Sequence, residues 1–331
     1  MKRTSKLFAY IFVFVLAFSL LCACSGSGAA NGNAGGTDGS VADTGSDVSE
    51  VVTVPDSSGM FTDADKTPSY DAASAVAISL DGGAVTADSD TVSALGGKAT
   101  ITEPGTYIVS GSGNNVSIIV DVPSEITEKV RLVLSGASIV NDDFAAIYIK
   151  SADKTFIVLE GENSLAVTGS FAAIDYNKVD GVIFAKDNVV LQGEGSLTIT
   201  SFKHGIVGKD DVKITGGTIS VTAANHGIEA NDSVRVASAS LTIASGKNGI
   251  HVENIYDATK GYFYMESGSL KITSGYEGID ASGTVQVTGG ITDITAGGGS
   301  GKTLSSSDVS TKVVKSSADM LIFGGEVSTT G

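Results

Sequence analysis

Tryptophan is absent from these 331 residues, and the chain holds only two cysteines and three histidines. Cations are scarce as well, with 21 Lys and Arg against 37 Asp and Glu. Each scarcity excludes something. Without tryptophan, the residue best suited to stack on a sugar ring is missing. Two cysteines, Cys22 and Cys24, both near the start, give no disulfide framework. The net charge of −16 argues against nucleic acid and anionic membrane surfaces as partners. The chain shows no convincing amphipathic helix, no nucleophile–His–Asp arrangement, no phosphate loop and no EF-hand or nonapeptide calcium repeat.

The start of the chain has a plain reading. Lys2, Arg3 and Lys6 precede an apolar run from Leu7 to Leu21, which Leu21-Cys22-Ala23-Cys24 closes. A basic start and an apolar run this short make a secretory leader rather than a bilayer-spanning helix, which needs about 20 apolar residues. The last four residues resemble a bacterial lipobox. That resemblance implies cleavage after residue 23 and a lipid on Cys24. Removing the leader's three cations takes the net charge from −16 to −19. Residues 24–60 are mostly Gly, Ser, Ala, Asn and Asp, which reads as a flexible tether. The chain is therefore expected on the extracellular face of a bacterial membrane, held by lipid alone.

From Phe61 onward, short alternating runs dominate. Ile118-Ile119-Val120, Val130–Leu134, Leu197-Thr198-Ile199 and Val285-Gln286-Val287 have the period-2 pattern of strands. They belong to a repeat. Gly205-Ile206 is followed by Val212, Ile214, Gly216-Gly217, Ile219 and Val221; Gly227-Ile228 and Gly278-Ile279 open the same sequence of positions. Gly249-Ile250 joins them if residues 256–262 are a seven-residue insertion. The anchor isoleucines 183, 206, 228, 250 and 279 are spaced 23, 22, 22 and 29 apart. Three short strands per 22-residue copy make a solenoid, because each strand can bury one side only and needs its neighbours to do so. The predicted fold is all-β, one right-handed parallel β-helix over 61–331 with about eight coils. A leucine-rich horseshoe lacks its Leu/Asn consensus here, and a β-sandwich would not hold the spacing constant.

FTDADKTPSYD (61–71), AAIYIKSADK (145–154), HGIVGKDDVKITGG (204–217) and KGYFYMESGSLKIT (260–273) resemble a family of secreted bacterial carbohydrate-binding β-helix lipoproteins. The resemblance implies binding of cellulose or polygalacturonate, with calcium bound along the helix. There are two departures. The family writes Asp-Gly-Ile at the anchor, whereas His204, His226, Asn248 and Glu277 precede the glycine here. The chain also stops partway through the coil anchored at Val313, which suggests a truncated product or a weakly ordered last coil.

Candidate ligands follow from stacking, since equivalent residues of successive coils lie about 4.8 Å apart. Asp187, Asp210, Asp232 and Asn254 share one position, with Asp211 beside them. Glu229, Glu253, Asp257, Glu277 and Asp280 form a second acidic group on later coils. Both groups read either as corner and surface acids or as oxygen ligands of Ca²⁺, which takes six to eight. His204 and His226 are equivalent, but zinc would need a further ligand, so they read as stacked corner residues. Phe144, Phe171, Tyr176, Phe202 and Tyr276 fall in loops or corners, where they either pack or meet sugar. Lys203, Lys209, Arg235 and Lys247 are the basic candidates for a lyase, but no spacing ties them to an acid. The expected protein is a monomeric, non-catalytic polysaccharide binder using Ca²⁺. The alternatives are a calcium-dependent polysaccharide lyase and an adhesive solenoid.

Overall fold

A computed structural model describes residues 57–173, 175–299 and 310–331. The leader, Cys24 and all but the end of the tether lie outside the described residues. The described chain is all-β apart from two short helical turns, and its sheets are long and parallel, as a β-helix-like solenoid requires.

Each regular coil contributes three strands. One face stacks Ile147–Ser151, Gly181–Ala185, His204–Gly208, Ile228–Ala230, Ile250–Val252, Ile279–Ala281 and Val314–Ser316. We call it the anchor face, because its register puts Ile183, Ile206, Ile228, Ile250 and Ile279 in one file. A second face runs from Lys154–Glu160 through Asp211–Ile214 to Met320–Ile322. A third runs from Glu162–Val167 through Thr218–Ala223 to Glu326–Thr330. The anchor isoleucines, the Val212 and Ile214 positions and the Ile219 and Val221 positions all point into one apolar cluster. Burying each such side chain stabilises by about 1.5–3 kcal/mol, an upper figure because the unfolded chain also hides some surface.

The glycines of the repeat do two different jobs. Gly217 and Gly290, second of their pairs, hold φ of +80° and +88°, which a side chain resists. The anchor Gly227 is needed for closeness instead. A Cβ there would lie 2.3 Å from Ile243 Cγ2 and 2.7 Å from the carbonyl oxygen of Gly249. The backbone thus comes hard against the third face at the residue before Ile206, Ile228, Ile250 and Ile279.

Two features depart from the sequence expectation. The first strands pair antiparallel, Val76–Gly82 with Ala84–Ala87 and Val92–Leu95 with Lys98–Ile101, around Gly82-Gly83 and Gly96-Gly97. These hairpins cover the first parallel edges. Second, residues 57–71 form a strap across the second face. Its one helical turn, Asp63–Lys66, has a capping box between Thr62 and Asp65. Asp65 is fully buried, with Lys213 Nζ at 2.8 Å and Lys154 Nζ at 2.9 Å. Arg235 donates to the Met60 carbonyl, Lys66 pairs with Glu266, and Tyr70 hydrogen-bonds Glu160.

Candidate functional site

The outward positions of the anchor face form two adjoining columns. One is the ladder Ile119, Tyr148, Phe184, Val207, Glu229, His251, Asp280, Lys315. The other consists of the residues before the anchor glycines: His204, His226, Asn248 and Glu277. Between the columns the chain turns inward at each anchor glycine, so both columns face outward on the same side of the sheet.

The three histidines stack. His204 lies 5.1 Å from His226 and His226 lies 4.9 Å from His251, centroid to centroid, with interplanar angles of 18° and 20°. Carboxylates flank the stack. Glu229 Oε2 is 3.4 Å from His204 Nδ1, and Asp180 Oδ2 is 3.8 Å from His204 Nε2. Asp280 Oδ2 is 3.3 Å from His251 Nδ1, and Lys315 holds the other oxygen of Asp280 at 2.9 Å. Lys209 Nζ lies 3.3 Å from Glu229 Oε1 and also sits over the Phe184 ring.

Burial dominates the titration of this cluster. It pushes His204 down despite Glu229 and Asp180, and it pushes His226 down to about 3, helped by the two neighbouring imidazoles. Burial also lowers His251, but the hydrogen bond and charge of Asp280 reverse the sign and hold it up. For Glu229, burial works against ionisation, yet Lys209 and the imidazoles outweigh it and keep the carboxyl low. At neutral pH the middle of the stack is therefore neutral imidazole beside an ionised carboxylate.

The corner acids form a separate group. Asp232 accepts from Asn254 Nδ2 at 3.1 Å and from Lys260 Nζ at 2.6 Å. Asp187 caps the Ala152 amide at 3.0 Å. Burial, then Asp232 and Asp187, raise Asp210, as expected of a carboxylate held in a like-charged column. Asp211 does not join this column, because Arg235 grips it with contacts of 3.0 and 2.9 Å and Ser233 donates to it. Asp257 lies in the insertion and binds its own loop through Thr259, while Glu253 is exposed. Glu277 is buried beside the histidine stack. Of the residues grouped by the sequence, Asp187, Asp210, Asp232 and Asn254 thus lie at the corner and Glu229, Glu277 and Asp280 on the anchor face, while Asp211, Glu253 and Asp257 join neither set. Among the described residues, one group of three has ligand atoms all within 4.8 Å of one another: His204, His226 and Glu229.

A family model described as carbohydrate-binding domain-containing protein matches residues 95–330. The chain belongs to that family. A relative bearing the same description in Acetivibrio thermocellus is 43% identical over 203 residues, covering 60% of this chain and 70% of its own length. Among solved structures, a gadolinium derivative of the polysaccharide lyase-like protein from C. thermocellum superposes with a TM-score of 0.68 at 32% identity. It covers 76% of this chain and 99% of its own.

In a carbohydrate-binding domain the exposed aromatics matter, and the sequence candidates divide. Phe144 is only 6% exposed; it packs edge-on against Tyr148 in a buried cluster and presents no platform. That corrects its reading as a sugar contact: the segment before Ile147 folds down over the ladder. Phe171 and Phe202 come together with Val179 and Lys203 around a hollow of about 400 Å³. Tyr176 stands 85% exposed and Tyr276 is half-buried. The sequence reading passed over Ile255 and Tyr256, the latter 93% exposed in the insertion beside Asn254. The signal was there, since an insertion into a constant repeat has no packing duty. A hollow of about 660 Å³ lies elsewhere, between Tyr70 of the strap and Glu160 and Glu194.

Proposed function

We propose that this member of the carbohydrate-binding family is a non-catalytic surface lipoprotein, lipidated at Cys24. Its right-handed parallel β-helix would hold a cell-wall polysaccharide, polygalacturonate or a cellulose-like glucan, as a monomer and with Ca²⁺. The observation that carries the reading is the corner column of Asp187, Asp210 and Asp232. Its carboxylates repel one another, as the raised Asp210 records, while Asn254 turns its amide nitrogen to Asp232 at the end of the column. A hard dication relieves that repulsion and leaves coordination positions for sugar carboxylates, so an acidic polymer can approach an acidic protein. Coils repeat the arrangement at fixed spacing, which gives a long polymer avidity from weak contacts.

The lyase reading draws support from the description of the solved relative. Against it, three of the four candidate bases are already engaged: Lys203 by Asp180, Lys209 by Glu229 and Arg235 by Asp211. A base must be free to take a proton. Retention of the full chain on polygalacturonate and on cellulose, with and without EDTA, tests the proposal. Retention on the polyuronate is expected to collapse with chelator and return on adding Ca²⁺, and Asp210→Asn with Asp232→Asn is expected to abolish the return. Undiminished retention in EDTA would remove calcium from the account. Growth of ultraviolet absorbance from unsaturated sugars would make the protein a lyase.

A further inference from the structure

We propose that His204, His226 and Glu229 form a binding site for a divalent transition-metal ion of the zinc class, separate from the corner acids. The site is built on two successive coils. His204 and His226 occupy one column, and Glu229 follows His226 by three residues on the neighbouring column. The inward turn at Gly227 places that carboxylate back over the ring of the preceding coil, where Oε2 reaches 3.4 Å from His204 Nδ1.

Two features of this contact point to a ligand. First, His204 is 5% exposed and its Nδ1 makes no hydrogen bond. A buried ring nitrogen without a partner is costly and needs an explanation. In the tautomer that turns Nε2–H toward Asp180, the Nδ1 lone pair faces a carboxylate oxygen, two acceptors with nothing between them. A cation at that point satisfies both. The Asn248 side-chain oxygen, two coils beyond His204 in the same column, is a second buried acceptor without a partner. Second, the surroundings resemble the outer support that metal-bound histidines usually have. Asp180 stands at the far nitrogen of His204 and is itself fixed by Lys203 Nζ at 2.6 Å. Lys209 takes Glu229 Oε1 and leaves Oε2 turned inward.

The donor set decides the class of ion. Two imidazoles and one carboxylate suit Zn²⁺ and its first-row neighbours, whereas Ca²⁺ asks for six or more oxygens that these residues cannot supply. Three protein ligands leave the fourth tetrahedral position open. The ligand atoms now lie within 4.8 Å of one another. Bonds of about 2.0–2.1 Å place tetrahedral ligands about 3.4 Å apart, so the side chains must close by about 1.4 Å or less. Rotations about the outer torsions of His226 and Glu229, both only partly buried, supply that movement. His226 gives up or keeps its 3.3 Å contact with the Asn248 amide according to which nitrogen binds.

The test is calorimetric titration of Zn²⁺ into the tag-free full chain in millimolar Ca²⁺, with the thiols removed by Cys22→Ser and Cys24→Ser. One equivalent is expected to bind. Glu229→Gln and His226→Asn are each expected to weaken it by about tenfold or more, while His251→Asn and the Asp210→Asn, Asp232→Asn pair leave it in place. Titration with Co²⁺ gives a second readout that does not depend on stability. Visible ligand-field bands should grow to one equivalent, vanish on adding Zn²⁺ and be missing in Glu229→Gln. Absence of zinc binding in the parent chain would overturn the site. So would equal affinity in Glu229→Gln and His226→Asn variants whose circular dichroism matches the parent. Because the corner acids and this site respond to different variants, failure of calcium-dependent sugar retention would leave the metal site standing, and the reverse holds too.

Discussion

The ladder along the anchor face can be read as two halves with one backbone. Ile119, Tyr148, Phe184 and Val207 make the first half; Glu229, His251, Asp280 and Lys315 make the second. Register and strand direction do not change between them. What changes is the length of the chain arriving from the third face. The connection from Val167 to Gly181 is the long one on this side, and Val179 from it covers the first half together with Phe144 and Ala145. Four residues each, 224–227, 246–249 and 275–278, lead into the strands that carry Glu229, His251 and Asp280, too few to fold over those rungs. A covered outward residue must be apolar or fully paired, as Tyr148 is through Asp175 and Asn177. An uncovered one is free to carry charge. Loop length therefore partitions one sheet into a structural half and a chemical half, and Lys209 stands at the boundary, over Phe184 and against Glu229.

The largest expected effect comes from making the same cut on both sides of that boundary. Phe184 is fully buried and meets Tyr148 edge-on at 5.8 Å. Phe184→Ala is expected to cost about 3–5 kcal/mol, the usual penalty for emptying a buried aromatic site. His251→Ala, two rungs beyond Val207, is expected to cost about 1 kcal/mol or less, since water can replace what is lost. Urea unfolding of both variants measures the difference. Equal losses would mean that the two halves are packed alike and that loop cover does not separate them.

A smaller effect should appear in acid, and it concerns the strap that crosses coils of both halves. Burial opposes ionisation of Asp65, but Lys213, the Thr62 amide and Lys154 outweigh it and hold the carboxyl at about 2, below the ordinary 3.8. A lowered folded value means stability that is complete above pH 3.8 and is lost as pH falls through 2. The gap corresponds to about 2 kcal/mol. Stability measured between pH 5 and pH 2 should fall by about that amount in the parent and more gently in Asp65→Asn, whose strap is already loosened. Parallel curves would show that the buried ion pair does not set the acid response.

The spacing of Ile183, Ile206, Ile228, Ile250 and Ile279 was enough to lay the strands in register, because a repeat that buries one face leaves little freedom in how it stacks. The starting hairpins were also written in the text, as Gly82-Gly83 and Gly96-Gly97 between alternating runs, and the strap helix as Thr62-x-x-Asp65. The division of the acids was harder to read. Spacing from the anchor already separated Asp210 from Glu229; it did not show that Asp211 turns to Arg235, Asp257 to its own loop and Glu229 to His204 and His226. Most of those partners lie on neighbouring coils, so no local pattern announces them. Likewise Phe144 looked like any loop aromatic, since the cluster that buries it also draws Ile119, Val179 and Phe184 from other coils.

The smallest change in stability belongs to the insertion, which should matter for ligand instead. Ile255 and Tyr256 project from the chemical half with almost no packing, beside Asn254 and Lys260, which hold Asp232. Tyr256→Ala removes no buried contact and should change unfolding by about 0.5 kcal/mol or less. If sugar lies along the corner column, an exposed ring at its end offers one stacking contact. Its loss should weaken retention on polysaccharide by about twofold to tenfold, the weight of a single aromatic contact. Phe202→Ala makes the matching cut at the hollow beside the structural half, where Phe202 is 56% exposed. A drop in retention for Tyr256→Ala alone would place the polymer on the charged coils. A drop for Phe202→Ala alone would move it to the hollow beside Phe171 and detach sugar binding from the acidic column.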